Sequence, residues 1–213
     1  MKLQPATKGY FFAFLAVLAM SNVYIFSKAA LSEASLPVFV FYWFLFGLLW
    51  NFLFAYKTCK LAQVKGFTRR SYTILVLLGL LEVAGTTFFF LAINTVPNPA
   101  IVSFLGNINP VIVTILGFFI LKERYNQPEV LGILLIIAGA LLISYQGGTT
   151  LSSMFIDGAE YILFSGFFFG ISAIITKNNV KKIGPSFLAL NRNVLLLLFS
   201  FIMLLTLDYK MSV

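Results

Sequence analysis

Glu82 is an acidic residue placed deep inside a long apolar stretch of the chain. It follows Tyr72, near the start of that stretch, by about ten residues, which corresponds to about 15 Å along a helix. In a bilayer, a charge at that depth costs about 2.5–3.5 kcal/mol on insertion scales, and a partner, water or protonation must offset this cost. Two roles stay open. Glu82 couples protons or balances a cationic solute, or it is a protonated group that hydrogen-bonds a neighbouring helix, for instance at Asn107 or Asn109.

The stretch that begins at Pro99 carries small and polar residues on one helical face. Their spacing of three and four residues places them on the same side of a helix: Ser103, Gly106, Asn107, Pro110, Thr114 and Gly117. In lipid, such faces pack against other helices or line cavities, and both interpretations stay open for Asn107 and the adjacent Asn109. Pro110 leaves a backbone carbonyl without its helical partner, which a solute or water can bind.

Two further residues join these candidates. Thr86 lies on the same helical face as Glu82, and Arg192 lies within the last apolar run of the chain. We therefore predict a substrate-binding or coupling site made of Glu82, Thr86, Ser103, Asn107, Asn109, Pro110 and Arg192.

The residue types that are absent from the sequence exclude several chemistries. The chain has no histidine and a single cysteine, Cys59. Haem ligation by histidine, a zinc-protease site and a Ser-His-Asp triad are therefore excluded, and no GxxxxGK[ST] loop is present to bind nucleotide phosphates. We expect a protein that is not an enzyme and that has no metal site and no cofactor.

The elements that must position these residues are long apolar helices. The chain is 60% hydrophobic and 10% charged, whereas soluble domains carry about a quarter charged residues. A bilayer core requires about 20 helical residues per crossing, and runs without polar–apolar alternation do not suit a membrane β-barrel. The fold class is therefore all-α integral membrane, a polytopic bundle of about seven transmembrane helices. The predicted spans are Gly9–Ser27, Pro37–Tyr56, Tyr72–Val96, Pro99–Leu121, Pro128–Tyr145, Gly158–Thr176 and Ser186–Leu207.

The basic residues between the spans predict the orientation of the chain. With the N-terminus in the cytoplasm, only Lys28 and Lys210 fall on the opposite side, which is a strong positive-inside bias. We expect a multi-pass protein of the cell membrane, and the net charge of +8 then requires no nucleic-acid partner. The 12 basic residues on the cytoplasmic side are Lys2, Lys8, Lys57, Lys60, Lys65, Arg69, Arg70, Lys122, Arg124, Lys177, Lys181 and Lys182.

A repeat with an odd number of spans relates the two ends of the chain. Ser27-Lys28 precedes the helix that opens at Pro37, and Thr176-Lys177 precedes the helix that opens at Pro185. Five spans separate the equivalent points, so the second copy is inverted relative to the membrane, as in many transporters. We expect a first repeat of five spans over residues 1–148 and the start of a second repeat, with two spans, over 149–213.

The stretch Leu91–Gly148 resembles the second half of an EamA repeat of the drug/metabolite transporter superfamily. The resemblance rests on a short link into the fourth helix, Pro110 within it, Glu123 just past its end, and an apolar fifth helix that contains Gly132 and Gly139. It implies a ten-helix protein of two inverted five-helix repeats around a central cavity for amino acids, metabolites, drugs or nucleotide sugars.

This sequence departs from the family pattern in two respects. It holds one repeat and two helices of the second, so we expect a truncated member. Tyr42-Trp43-Phe44 stands where members often carry an arginine, and Arg192 occupies the comparable place in the second copy. The resulting hypothesis is a secondary transporter that exports or exchanges a small metabolite or drug-like solute. The alternatives are a non-transporting or truncated protein that needs a partner, for instance in a homodimer, and a lipid-linked sugar flippase. The expected partners are the bilayer and a small-molecule solute.

Overall fold

A computed structural model of the protein describes residues 5–58, 66–145 and 156–206, and most of these residues are helical. Cys59 and Val213 lie outside the described residues. The helices are α1 (Pro5–Glu33), α2 (Leu36–Thr58), α3 (Arg69–Thr95), α4 (Pro99–Gly106), α5 (Ile108–Leu116), α6 (Gln127–Ser144), α7 (Ala159–Ile183) and α8 (Pro185–Thr206), with a π-helical turn at Gly117–Leu121.

The described helices confirm the predicted all-α membrane architecture. Within the described ranges, six segments are long and apolar enough to cross a bilayer, and one of them is Pro99–Leu121. The apolar helix α6 is shorter, with 18 residues. Most large apolar side chains of α1 are exposed, which suits a helix that contacts lipid chains.

Asparagine side chains cap the first turns of two helices, α4 and α6. The Asn98 side chain accepts a hydrogen bond from the Ala100 N–H at 2.9 Å and begins α4. Asn126 and Glu129 form a reciprocal capping box at the start of α6, which satisfies backbone N–H groups that the helix itself leaves free. At both helix starts an asparagine side chain therefore supplies the cap.

The fourth span is broken, although its predicted ends are correct. α4 ends at Gly106, a turn follows at Asn107, and α5 starts at Ile108. The break places Pro110 in the first turn of α5, where its missing N–H costs no helical hydrogen bond.

Helix α3 packs between α7 and α8. On α8, Asn191 donates a hydrogen bond to the Leu75 carbonyl at 2.9 Å, and Leu195 lies directly against Gly79. Residue numbers rise together along these two contacts, so α3 and α8 run parallel. The third and seventh spans of a seven-span chain must also point the same way.

Glycines allow the close approach of α5 and α7. A Cβ atom on Gly166 would lie 2.8 Å from Ile112 Cδ1, and a Cβ atom on Gly170 would lie 3.0 Å from both Ile112 and Leu116. The Gly-x-x-x-Gly spacing thus serves helix packing, as it often does in membrane proteins.

Candidate functional site

A cavity of about 630 Å³ lies among α1, α2, α3, α7, α8 and the junction of α4 and α5. This volume is in the range of small-molecule sites, about 300–1,000 Å³. Its wall combines many apolar side chains with a few polar ones. The polar side chains of the wall include Glu82, Thr86, Asn109, Ser172, Asn191 and Arg192.

Glu82 has two partners from different helices. The Ser172 hydroxyl of α7 donates a hydrogen bond to Glu82 Oε1 at 2.7 Å, and Arg192 Nε of α8 lies 2.9 Å from Glu82 Oε2. Among the described residues no group donates a hydrogen bond to Oε2, so the contact with Arg192 is an ion pair without an aligned hydrogen bond. The pair offsets the cost of placing a carboxylate at this depth. The partners differ from the suggested Asn107 and Asn109.

The two members of the ion pair differ in exposure. The Glu82 side chain is 12% exposed and the Arg192 side chain is 49% exposed. Glu82 is therefore the more shielded member of the pair. A solute that enters the cavity reaches the guanidinium more readily than the carboxylate.

The ring of Phe169 also contacts the Arg192 guanidinium. The guanidinium carbon of Arg192 lies 5.8 Å from the centre of the Phe169 ring, within the range of a cation–π contact. Gly85 of α3 faces this ring, and a Cβ atom there would lie 2.8 Å from it. The absence of a side chain at position 85 thus allows the ring to lie beneath Arg192.

Asn109 lies at the break in the fourth span. Its Oδ1 atom is buried, and no hydrogen bond to it is present within the described ranges. Gly106, on the other side of the break, faces the Tyr24 hydroxyl, and a Cβ atom there would lie 2.7 Å from that oxygen. Asn109 lines the cavity and carries this acceptor next to the break.

The structure gathers four of the predicted site residues and separates the other three. Glu82, Thr86, Asn109 and Arg192 all line the cavity. Ser103 is half-buried on α4, and Asn107 and Pro110 are exposed. These three are not part of the cavity wall that the described ranges form, and their role in binding stays a prediction.

Sequence reasoning did not single out Ser172 and Phe169. Ser172 is one of two buried serines of α7, with Ser165, and a hydroxyl in a mainly apolar span was the available signal. Phe169 carries no comparable signal, because the chain contains 25 phenylalanines and only tertiary packing distinguishes this one.

A second polar cluster joins the chain segment after α5 to α7. Lys122 has a left-handed backbone, with φ of 55°, and the next residue, Glu123, pairs with Lys177 and accepts a hydrogen bond from the Tyr125 hydroxyl. The Lys177 contact, and then the Tyr125 hydrogen bond, lower the pKa of the Glu123 carboxyl. Glu123 therefore connects the segment after the fourth span to α7.

Comparison with known proteins places this architecture in a family. A profile of the EamA-like transporter family matches residues 7–145. The uncharacterized transporter YyaM of Bacillus subtilis is 28% identical over 103 residues, which are 48% of this chain and 34% of the relative. An uncharacterized transporter of Methanothermobacter thermautotrophicus is 27% identical over 116 residues, which are 54% of this chain and 34% of the relative.

The matched region thus spans about a third of the length of these curated relatives. No solved structure matches the chain. The profile covers all of α2 to α6 and most of α1, which is more than half of the sequence. The chain therefore belongs to the EamA-like transporter family.

Proposed function

We propose that the protein is a secondary transporter that exports or exchanges a small metabolite or drug-like solute through the cavity. Membership of the family and the transporter names of the relatives support transport in general. The cavity supplies a volume of suitable size at the level of an intramembrane ion pair. Such ionisable pairs within transmembrane segments usually mark solute or proton pathways.

The observation that carries this proposal is the Glu82–Arg192 pair in the cavity wall. A purely structural contact between α3 and α8 needs no charge, because apolar residues of similar size are often as stabilising as a buried ion pair. Arg192 also lines the cavity, and its side chain is 49% exposed. These features fit a binding or coupling role better than a packing role.

The broken fourth span supports the same role. Transporters often build their sites from interrupted helices, whose free backbone groups and side chains bind the solute. Here the interruption lies between Gly106 and Asn109, and both residues line the cavity. Asn109 adds a buried acceptor without a hydrogen bond in the described part of the chain.

Flux through proteoliposomes tests the proposal. Purified protein would be reconstituted, and exchange of labelled metabolites of several chemical classes would be measured at a series of pH values. We expect flux in the wild type, loss of flux in Arg192→Gln, and loss of its pH dependence in Glu82→Gln, because glutamine keeps the shape of the side chain but cannot titrate.

Matched controls are available on the surface. Glu33→Gln and Arg70→Gln make the same substitutions at exposed positions and should leave flux unchanged. Flux that keeps its pH dependence in Glu82→Gln would contradict the coupling role and leave Glu82 only its contacts with Ser172 and Arg192.

A further inference from the structure

Arg192 keeps most of its hydrogen-bonding capacity free. Glu82 approaches the guanidinium at Nε, and no described residue accepts a hydrogen bond from the terminal Nη groups. Those two groups form a fork that matches the two oxygens of a carboxylate. Glu82 is also the only acidic side chain among the described residues that line the cavity. A solute can therefore supply the second acidic partner of Arg192.

The contacts of Glu82 and Arg192 allow each group to keep its place when the pair separates. Ser172 holds Glu82 Oε1 through a hydrogen bond, and the hydroxyl can donate to a carboxyl group in either protonation state. Phe169 lies beneath the guanidinium and attracts its charge independently of Glu82. The pair therefore separates without either side chain losing all of its partners.

Charge balance determines what accompanies an incoming anion. Glu82 and Arg192 together are neutral, so an added anion would leave one uncompensated negative charge within the membrane, which is costly. Protonation of Glu82 removes that charge. Arg192 then exchanges the Glu82 carboxylate for the carboxylate of the solute, and the cavity remains neutral.

Few other titratable groups line the described cavity wall. The phenol of Tyr24 is the remaining one, and α2 contributes none. Lys28 of α1 contacts backbone carbonyls of α3, and Lys177 of α7 contacts Glu123. The other charged groups on the helices packed around Glu82 lie near helix ends: Arg69 and Arg70 on α3, and Glu160, Lys181 and Lys182 on α7.

The rest of the wall specifies the body of the solute. Trp43, Phe44, Phe89 and Phe90 surround the cavity, and the Trp43 and Phe90 rings are 6.0 Å apart, edge to face. Such a surface favours an apolar or aromatic body. It offers no cation of its own to a second anionic group.

We propose that the cavity takes organic carboxylic acids with an apolar body as an anion together with one proton, with the carboxylate on the Nη edge of Arg192 and the proton on Glu82. The proton comes from water, and no covalent bond changes. This inference rests on the proposed function for its transport role, and it adds the solute class and the proton stoichiometry.

Three probes with the same body and different charge test the solute class. These are 3-phenylpropionate, 3-phenylpropylamine and 3-phenylpropanol, and binding is followed through the fluorescence of Trp43. The chain has two tryptophans, Trp43 and Trp50, and Trp50 is largely exposed, so a Trp50→Phe background isolates the signal of Trp43. We expect the acid to bind at least about tenfold more tightly than the alcohol or the amine, since a charge-assisted contact is being gained.

Proton uptake tests the stoichiometry in weakly buffered solution with a pH indicator. Near neutral pH the probe acid is ionised, and we expect uptake of about one proton per bound anion by linkage. Glu82→Gln should abolish that uptake and should tighten binding of the acid, because Arg192 has lost its competing partner. Arg192→Gln should weaken binding at least about tenfold, and Arg192→Lys should have an intermediate effect because it keeps the charge without the fork.

Several results would overturn this inference. They are equal or tighter binding of the amine, no binding of any probe, binding of the acid without proton uptake, or weaker acid binding in Glu82→Gln. Folding of each variant is checked by its circular dichroism and its gel-filtration profile.

If proteoliposomes move other solutes while the acid is not preferred, the transport proposal stands and this inference fails. If the acid and a proton bind but no solute crosses the membrane, the binding inference stands and the transport proposal fails.

Discussion

Lys28 connects α1 to the carboxyl end of α3 through two hydrogen bonds. Its ammonium group donates to the Asn94 carbonyl at 2.7 Å and to the Val96 carbonyl at 2.8 Å. Carbonyls at a helix C-terminus lack helical partners and carry partial negative charge, so a cation is favourable there. The contact also gives the Lys28 ammonium polar partners at the end of the first span.

Replacement of Lys28 by methionine should destabilise the protein. The variant keeps the apolar stem but loses both hydrogen bonds, which we expect to cost about 1–3 kcal/mol. The measurement is thermal unfolding in detergent followed by tryptophan fluorescence. Arg124→Met removes an exposed cation and serves as the control. Equal midpoints for Lys28→Met and wild type would show that these bonds contribute nothing to stability.

At the residue scale, the sequence predicted which residues are unusual but not their partners. Glu82 was recognised because a carboxyl group stands out in an apolar run. Ser172 follows it by 90 residues, and Arg192 comes from the next helix. Which face of α7 and α8 turns toward Glu82 depends on packing across the whole bundle. For this reason a single sequence did not indicate the pairing.

Helix α3 depends on a glycine where it meets α7. Gly85→Ala would place a Cβ atom 2.8 Å from the Phe169 ring. Because an aromatic ring is rigid, the whole ring must move to relieve this contact. We expect a loss of about 1–3 kcal/mol from overpacking, together with weaker solute binding because Arg192 loses its support. Unfolding midpoints and the Trp43 fluorescence titration measure the two effects.

Gly139→Ala is the matched control for that substitution. A Cβ atom at Gly139 meets nothing within 4 Å, so the higher helix propensity of alanine should leave stability equal or raise it by up to about 1 kcal/mol. If Gly85→Ala behaves like Gly139→Ala, the contact between α3 and Phe169 does not determine the position of the ring.

The link between Glu123 and Lys177 has a definite pH dependence. The pKa of Glu123 is lowered from its ordinary value of 4.5, so the folded state favours the ionised carboxylate and the link is present at neutral pH. Its contribution is lost as pH falls through the lowered pKa. We expect Lys177→Gln to raise the pKa of Glu123 more than Tyr125→Phe does, in carbon NMR titrations of labelled glutamate. Identical titration curves for wild type and both variants would contradict this.

At the element scale, features with local causes were predictable. The capping residues Asn98 and Asn126 and the ends of the fourth span at Pro99 and Leu121 follow from neighbouring residues alone. The break at Asn107 was not predicted, because Pro110 indicates that one hydrogen bond is lost but not where the chain turns. At the π-helical turn Gly117–Leu121, the side chains of Glu123 and Tyr125 pack against Gly117.

The directions of the packed helices agree with spans that cross the membrane in alternating directions. α2 and α8 run antiparallel, since Phe41 contacts Phe201 while Gly47 approaches Asn193. These two helices are counterparts in the proposed inverted repeat. The repeat was inferred from a few matching residues, and its boundaries at 148 and 149 stay a prediction, because paired packing of two helices also arises without an internal repeat.

The orientation of the molecule in the membrane is the last prediction. Twelve basic residues fall on one side of the predicted spans and two on the other, and the parallel course of α3 and α8 requires an odd number of crossings between them. α6 counts as one of these crossings, because its 18 residues extend about 27 Å, close to the thickness of a bilayer core. If α6 lay on the surface instead, α7 and α8 would have reversed directions relative to α3.

Reporter fusions measure this orientation directly. Green fluorescent protein should fluoresce after Arg70, and alkaline phosphatase should be active after Val213, because the first junction is expected in the cytoplasm and the second outside it. A junction at Asn98, between the third and fourth spans, should report the same side as Val213 and serves as the internal control. If the junctions after Arg70 and Val213 report one compartment, the number of crossings is even and the seven-span topology is wrong.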